Sequence, residues 1–561
     1  MFDYVFWGVE NEVVENNNDA RDIVPVAENP SNQFFFLDQG QHQQRSNEMV
    51  RVPNLSRENQ VYYRGIVRKT RMLYDAIRIY SVADEEMKIA FGFDKQCRRD
   101  LKAATVMRSC GLWLFTDKRI IGALPGVEIG DAFCYRFELS VVGLHGYNQA
   151  GIDFVPASRS PNRDPIATSI VVSDRFTGNI DEGNMITYSG TGGQDKNFTQ
   201  IAHQKLEGGN LALERSMHYG IEVRVIRGRL HKASPNGKFY VYDGLYRVIE
   251  YWHETDTAGY RVYKYRLERL PNQPKMSSDD LLLAESLKTK PLVRPRGNAC
   301  LDISMGRENV PITLFNDIDG NHEPLEHDYL VKSFIPLHVH QYGNGCQCLS
   351  ACSKDCSCIR KNGGQFAYDR DGILIQGKPL IFECGPYCSC LPNCRNRVTQ
   401  RGVRHRLEVF RSGTGWGVRS LDYILAGSFI CEYAGVVLTN ELAQLLSMGG
   451  NNLVYPRRFT ESWKEWGDLS QISPNYVQPS VPEIPPLDFA LDVSTLRNVA
   501  SYISHSRSPN VMVQFVLYDH NNLMFPRLML FATETIPPFR ELTLDYGGVA
   551  DESSPKFAIC N

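Results

Sequence analysis

The sequence predicts a multidomain fold, mainly β with some α. Three observations carry that expectation. The chain has 561 residues, which at about 150 residues per domain makes three or four domains. Short apolar runs punctuated by Gly, Asp and Asn fill residues 119–274 and recur over 403–549, the signature of strands and turns. Nine of the 15 cysteines fall between Cys346 and Cys394, a density that needs a local explanation of its own.

Composition narrows the class. The hydrophobic fraction is 42% and the charged fraction 22%, ordinary globular values that exclude a collagenous, coiled-coil or wholly disordered chain. No run approaches the length of a transmembrane helix. The stretch Met1–Glu10 lacks a basic start and an apolar segment, so no secretory signal is read. Net charge is −3, so nucleic-acid binding requires a local basic face rather than a polycation. Without an export signal the compartment reads as reducing, and clustered cysteines then point to metal before disulfides.

Residues 1–55 are rich in Asn, Glu, Gln and Asp, too polar to offset chain entropy, and are expected to be disordered apart from an apolar plug at Phe34–Leu37. Residues 56–118 form a helical pair. Tyr63, Ile66, Val67, Leu73, Tyr74, Ile77 and Tyr80 follow the helical period, and Leu101, Ala104 and Met107 mark a second helix. Arg64, Arg68, Lys69, Arg71 and Arg78 are interspersed; the helix either packs on its neighbour or presents a basic face to DNA. Residues 119–274 read as a β-barrel or sandwich, with runs such as Ala167–Val172 and Gly220–Ile226. Residues 275–335 are a linker and lead-in, with Pro, Lys and Ser over 275–297. Residues 336–402 hold the cysteine block. Residues 403–549 are strand-like again, with an insertion at about 450–486. A short tail, 550–561, completes the chain.

The cysteines are Cys346, Cys348, Cys352, Cys356, Cys358, Cys384, Cys388, Cys390 and Cys394. Three tetrahedral zinc ions need twelve ligand positions, about four each, and nine thiolates supply them if three sulfurs bridge. The intervening residues are too polar for a core, so metal would replace a core as the source of local folding energy. Such zinc is structural, because sulfur fills every position. Two separate zinc sites with a spare thiol, or disulfides, are the other readings.

This spacing resembles the pre-SET module of the histone H3 lysine-9 methyltransferase group. Residues 403–549 resemble a SET domain, and residues 119–274 resemble an SRA (YDG) domain; the order of the three resembles the plant SUVH family. The SRA likeness rests on Pro125–Phe133, Val142–His145, Gly151–Asp153, Gln204–Leu206, Val223–Gly228 and Tyr242–Tyr246. SRA domains flip a 5-methylcytosine and hold it between aromatic rings, whose faces restore lost stacking. The resemblance assigns that pocket to Phe176, Asn179, Asp181 and Tyr188. Phe176 stands for a Tyr, and Asn179 for an Asp that accepts from the cytosine amino group. An uncharged acceptor weakens that hydrogen bond. Arg224, Arg227, Arg229 and Lys232 are candidate phosphate contacts, the other reading being a solvated strand face; for Phe176 and Tyr188 the other, less favoured reading is ordinary core.

The SET likeness rests on Gly415-Trp416-Gly417, Glu432–Gly435, Ser501–Asn510 and Glu541–Gly547. It implies a cofactor site for S-adenosylmethionine at Gly415, Trp416, Gly417, Ser504 and His505, and a lysine channel with Tyr433 and Tyr546 as its catalytic residues. Two positions depart from the family. Ser504 replaces an Asn that holds the cofactor, and a hydroxyl lacks the amide's paired donor and acceptor. Arg507 replaces a Cys of a second zinc site whose other ligands lie beyond the final Tyr, where this chain has only Cys560. The expected function is therefore a nuclear chromatin protein that binds methylated DNA, carries three structural zinc ions, and promotes silencing by recruiting RNA-directed DNA methylation machinery, with an inactive SET domain. The alternative is an active histone H3 lysine-9 methyltransferase using S-adenosylmethionine, with histone H3 as partner. No membrane association is expected.

Overall fold

Helical periodicity at residues 63–80 is realised as a 34-residue helix, Arg57–Ala90, in the computed structural model of the chain. The second helix is Arg99–Ser109. The structure describes residues 26–28, 49–52, 55–90, 98–116, 119–147, 149–173, 179–195, 199–275, 277–290, 294, 296–447, 452–472 and 483–547. The apolar plug Phe34–Leu37, the pocket residue Phe176 and the tail with Cys560 lie outside them. The fold is multidomain and mainly β, in two units. One comprises residues 1–70 and 104–279, the other 71–103 and 280–561.

The arginines of the long helix are not a DNA-facing stripe. Within the first unit, Arg64 is buried and donates to both Asp131 carboxylate oxygens at 2.6 and 2.9 Å and to the Gly126 carbonyl at 3.0 Å. Within the second, Arg71 is buried and pairs with the buried Glu534 at 3.1 Å. Charges taken out of water must be paired, and these are, so the basic-helix reading fails. Two further expectations change. Met49–Arg51 is a strand, parallel to Arg119–Ile121 and with Met49 and Val50 fully buried, inside the stretch expected to be disordered. The stretch read as a linker contains a helix, Ser277–Thr289, whose Ala284 and Leu287 are buried.

The first unit is built on one eight-stranded sheet. Its order runs Ile152–Val155, Ile166–Ser173, Glu222–Leu230, Lys238–Thr255, Arg261–Arg269, Met185–Ser189, Ile180–Asp181, with Ala132–Phe133 also paired to Lys238–Thr255. Among the described residues, only Ile166–Ser173 and Glu222–Leu230 run parallel in it. Side chains alternate across a strand. Ile170, Val172, Val223 and Val225 therefore join one core with the Gly209–His218 helix, while Val171, Ile226 and Tyr242 join a second core with Val67, Phe133 and Leu139. Both faces are covered, which is why residues 166–172 are all buried, Thr168 and Ser169 included. The 18-residue strand Lys238–Thr255 shifts register at Tyr242/Gly244 and Val248/Glu250. Each bulge bends the strand and sharpens its twist, curving the sheet.

The second unit contains a four-stranded sheet that includes Leu407–Ser412 and Gly415–Ser420, a three-stranded sheet that includes Val436–Thr439, and a six-stranded sheet. The last orders Phe429–Glu432, Arg527–Ala532, Val511–Leu517, Thr543–Leu544 and Ser504–His505, with Ile381–Phe382 also on Val511–Leu517. Trp416, Tyr433 and Tyr546 belong to its main core. The cysteine region has one short helix, Ser357–Lys361, and its core is cysteine with Ile359 and Phe366.

Candidate functional site

Three constellations carry chemistry. The first is the cysteine lobe. Sγ atoms of Cys346 and Cys352 are 3.6 Å apart, those of Cys352 and Cys384 3.4 Å, and those of Cys358 and Cys388 3.7 Å. A disulfide needs about 2.05 Å, whereas a tetrahedron with zinc–sulfur bonds of about 2.3 Å has edges of about 3.8 Å. The donor set fits zinc. Three quartets converge: Cys346, Cys348, Cys352 and Cys356; Cys346, Cys358, Cys384 and Cys388; and Cys346, Cys352, Cys384 and Cys390. Cys394 reaches Cys352 and Cys384. Backbone and side-chain donors already orient the sulfurs: Cys346 N–H donates to Cys388 Sγ and Asn396 Nδ2 to Cys384 Sγ, both at 3.4 Å. Such outer contacts tune thiolate ligands.

The second is the segment assigned to a flipped base. Asn179 Oδ1 accepts the Ser189 backbone N–H at 2.8 Å, so its acceptor is engaged. Asp181 accepts from Arg227 Nε at 2.7 Å and Nη2 at 2.8 Å, from Arg229 Nη2 at 3.1 Å and from Gly183 N–H at 3.1 Å. Burial alone would raise its carboxyl; the Arg227 hydrogen bonds and charge outweigh burial and hold it below the usual range. Tyr188 is buried opposite Tyr265, and burial pushes its hydroxyl well up. Its Oη lies so close to residue 151 that a Cβ there would sit 2.4 Å away, so the glycine is required.

Two of the four candidate phosphate contacts are corrected. Arg224 is buried and donates to the Ile120 and Gly122 carbonyls at 3.0 and 2.9 Å. Arg227 is 1% exposed; besides Asp181 it donates to Asp243 at 3.0 Å, the Gly183 carbonyl at 2.8 Å and Tyr246 Oη at 3.2 Å. Neither guanidinium can reach a phosphate. Arg229 is part-exposed and Lys232 exposed.

His145 and Arg136 are residues to which sequence reasoning gave no role. His145 is fully buried; Nε2–H donates to the Ala150 carbonyl at 3.0 Å and Nδ1 accepts from Ser169 Oγ at 2.8 Å, a neutral tautomer. Burial pulls its pKa down to about 4, with Asp153 opposing. Arg136 donates to the Tyr147 carbonyl at 3.2 Å and to that of Ala150, with its guanidinium 5.7 Å from the Tyr240 ring centre. His145 was visible within Val142–His145, but nothing local marks Arg136.

The third constellation is the SET-like cleft. Gly415 has φ 142°, a conformation that favours glycine. A Cβ at Gly417 would lie 2.8 Å from Glu541 Oε1 and 2.9 Å from the Phe410 ring. Trp416, between them, is buried. Tyr433 and Tyr546 are buried with rings edge-to-face at 6.3 Å, and Phe459 and His505 each stand 6.3 Å from Tyr546. Burial pushes the Tyr433 hydroxyl up to about 12, with Tyr546 and Ser501 opposing. Tyr546 Oη donates to the Ile503 carbonyl at 2.8 Å. Gly415, Trp416 and Gly417 lie on one strand and Ser504 and His505 on another, while Tyr433 and Tyr546 follow the ends of the Phe429–Glu432 and Thr543–Leu544 strands. The Ser504 hydroxyl, however, donates to Glu541 Oε1, the atom that faces Gly417. His505 is half-exposed and accepts the Tyr546 N–H at Nδ1, 3.4 Å away. Arg507 is exposed and makes no ion pair among the described residues.

Comparisons with known proteins agree on the parts. Family models match the SAD/SRA domain over residues 120–273, the Pre-SET motif over 304–397 and the SET domain over 415–547. The chain is 55% identical over 527 residues to the histone-lysine N-methyltransferase family member SUVH9 of Arabidopsis thaliana, covering 92% of this chain and 81% of that one. It is 52% identical over 524 residues to SUVH2 of the same organism, covering 92% and 80%. The crystal structure of SUVH9 superposes with TM-score 0.79, covering 87% of this chain and 100% of that one. KRYPTONITE in complex with mCHH DNA, an H3(1-15) peptide and SAH superposes with TM-score 0.69 at 34% identity, covering 87% and 94%.

Proposed function

The chain belongs to the SUVH family of proteins with SRA, pre-SET and SET regions, and from that premise we propose that it is a nuclear chromatin protein that binds methylated DNA and promotes silencing by recruiting RNA-directed DNA methylation machinery. Its SRA region reads 5-methylcytosine through Phe176, Asn179, Asp181 and Tyr188, with Arg229 and Lys232 on the backbone phosphates. Its cysteine lobe holds three structural zinc ions. Its SET region serves as a body for docking and transfers no methyl group.

One observation carries the inactivity. The residue at the family's cofactor-holding position is Ser504, and its single hydroxyl proton is committed to Glu541, whose Oε1 faces Gly417. Methyl transfer is an in-line displacement that depends on positioning. Bound S-adenosylmethionine would supply the methyl group. Here neither Ser504 nor the exposed Arg507 provides what would fix that cofactor or close the channel wall.

A second reading keeps one supporting observation. Tyr433 and Tyr546 stay buried and edge-to-face, as a lysine channel requires. In it the protein is an active histone H3 lysine-9 methyltransferase guided by its SRA region. Labelled-methyl transfer to histone H3 and nucleosomes decides, with an active SUVH enzyme as control. No transfer by folded, zinc-loaded protein supports the first reading. Transfer abolished by Tyr546→Phe overturns it.

A further inference from the structure

Strand pairing sets the geometry of the segment assigned to the flipped base. Ile180 faces Thr187 and Asp181 faces Ile186 on antiparallel strands. One step further along that register, Asn179 stands across from Tyr188. Cross-strand neighbours put their side chains on one face of a sheet, and alternate residues of a strand share a face. Asn179, Asp181 and Tyr188 therefore present their side chains on the same side.

Both side-chain acceptors on that side are spent. Ser189 N–H donates to Asn179 Oδ1 at 2.8 Å. A backbone N–H can meet the oxygen of a carboxamide but not its nitrogen, so this bond fixes which way round the amide stands. Nδ2 is left over. It is a donor on a half-buried residue, and among the described residues it has no hydrogen-bond partner. Asp181 is the other acceptor. Its Oδ1 accepts from Arg227 Nη2 at 2.8 Å and Gly183 N–H at 3.1 Å, and its Oδ2 from Arg227 Nε at 2.7 Å and Arg229 Nη2 at 3.1 Å. Those donors fill the roughly four lone-pair sites of a carboxylate.

The consequence is a specificity. Position 4 of the ring separates cytosine, with an amino donor, from thymine, with a carbonyl acceptor; 5-methylcytosine and thymine share the methyl group at position 5. An aspartate at 179 would turn an acceptor oxygen toward position 4, where Asn179 turns an N–H. The cytosine amino group then meets a donor, whereas thymine O4 meets a partner. Stacking on an aromatic ring is open to both bases.

We propose that Asn179 makes this pocket read the methyl group at position 5 without the amino group at position 4, so that it takes a flipped thymine at least as readily as a flipped 5-methylcytosine. The inference rests on the flipped-base reading of the SRA region and adds thymine opposite guanine to its ligands. That pair is what remains when the amino group of 5-methylcytosine is lost by hydrolysis, the water oxygen staying as O4 and the nitrogen leaving as ammonia.

The test uses the full zinc-loaded chain and four duplexes that differ only in one base opposite guanine: 5-methylcytosine, cytosine, thymine or uracil. The parent and Asn179→Asp proteins are titrated against each. The parent is expected to bind thymine at least as tightly as 5-methylcytosine, and each methylated base more tightly than its unmethylated counterpart. A mismatched base also flips at lower cost, but that advantage is common to both proteins, so the change in the thymine-to-5-methylcytosine ratio isolates residue 179. Asn179→Asp should lower the ratio by about tenfold, the discrimination that one base-edge contact supplies, while keeping an acceptor for Ser189 N–H. The proposal is overturned if the parent prefers 5-methylcytosine to thymine by about tenfold or more, or if the variant leaves the ratio unchanged. A parent that binds all four duplexes alike overturns the flipped-base reading itself, and this inference with it.

Discussion

Replacing Arg227 by Met separates a structural arginine from a DNA contact. The substitution deletes five hydrogen bonds, to Asp181 twice, Asp243, the Gly183 carbonyl and Tyr246. Arg229 still reaches Asp181, but the fully buried Asp243 loses the Arg227 guanidinium that stood 3.0 Å away. Breaking a buried pair from one side costs about 3–5 kcal/mol, because a buried charge is left alone. At about 2–4 °C per kcal/mol for a unit of this size, the first unit should melt about 10 °C lower. Scanning calorimetry of the full chain, with hydrogen exchange on Glu222–Leu230 to assign the transition, measures this. Adding Asp181→Leu and Asp243→Leu should restore most of the loss, since apolar replacement of a whole buried ionic group is near neutral. Lys232→Ala should do the reverse: unchanged melting, weaker DNA binding and a salt slope smaller by about 0.9. An Arg227→Met protein that melts normally yet loses the salt slope of a phosphate contact would refute the reasoning.

Three further outcomes are expected. His145 has a folded pKa of about 4 against an ordinary 6.5. Its neutral burial therefore stabilises fully above pH 6.5, and the stability drains away between 6.5 and 4, by about 3 kcal/mol in total; hydrogen exchange around residues 139–171 should show that slope, and His145→Gln should flatten it. Gly151→Ala drives a methyl group to 2.4 Å from Tyr188 Oη and should cost about 1–3 kcal/mol by overpacking, read as a lowered urea midpoint. Chelating the metal should expose the 346–394 lobe to protease, because its core contains little besides cysteine; resistance after complete zinc release would show another source of order.

What the sequence made legible was whatever is local. Cysteine spacing places ligands within a few residues of one another, and the structure draws the sulfurs to within contact. The helical period at Tyr63–Tyr80 likewise needs no distant partner. Buried charge is not local. Arg64 meets Asp131, Arg71 meets Glu534 and Arg227 meets Asp181, pairs separated by 67, 463 and 46 positions. In sequence, each such arginine looks like one on a solvated face. The Ser277–Thr289 helix was hidden differently, since only Ala284 and Leu287 of its apolar residues are buried and Leu282 is exposed. In the SET-like cleft, the identity of Ser504 was readable, but not that its proton goes to Glu541.

Cys346 belongs to all three sulfur quartets. The quartets therefore cannot be filled or emptied one at a time without disturbing the others. When metal is scarce, a population of chains should divide into fully loaded and empty molecules, with few partly loaded ones between. The lobe would then report zinc supply as an all-or-none state of each molecule, and a substitution at Cys348 or Cys390, each in one quartet, should abolish the whole response as one at Cys346 does.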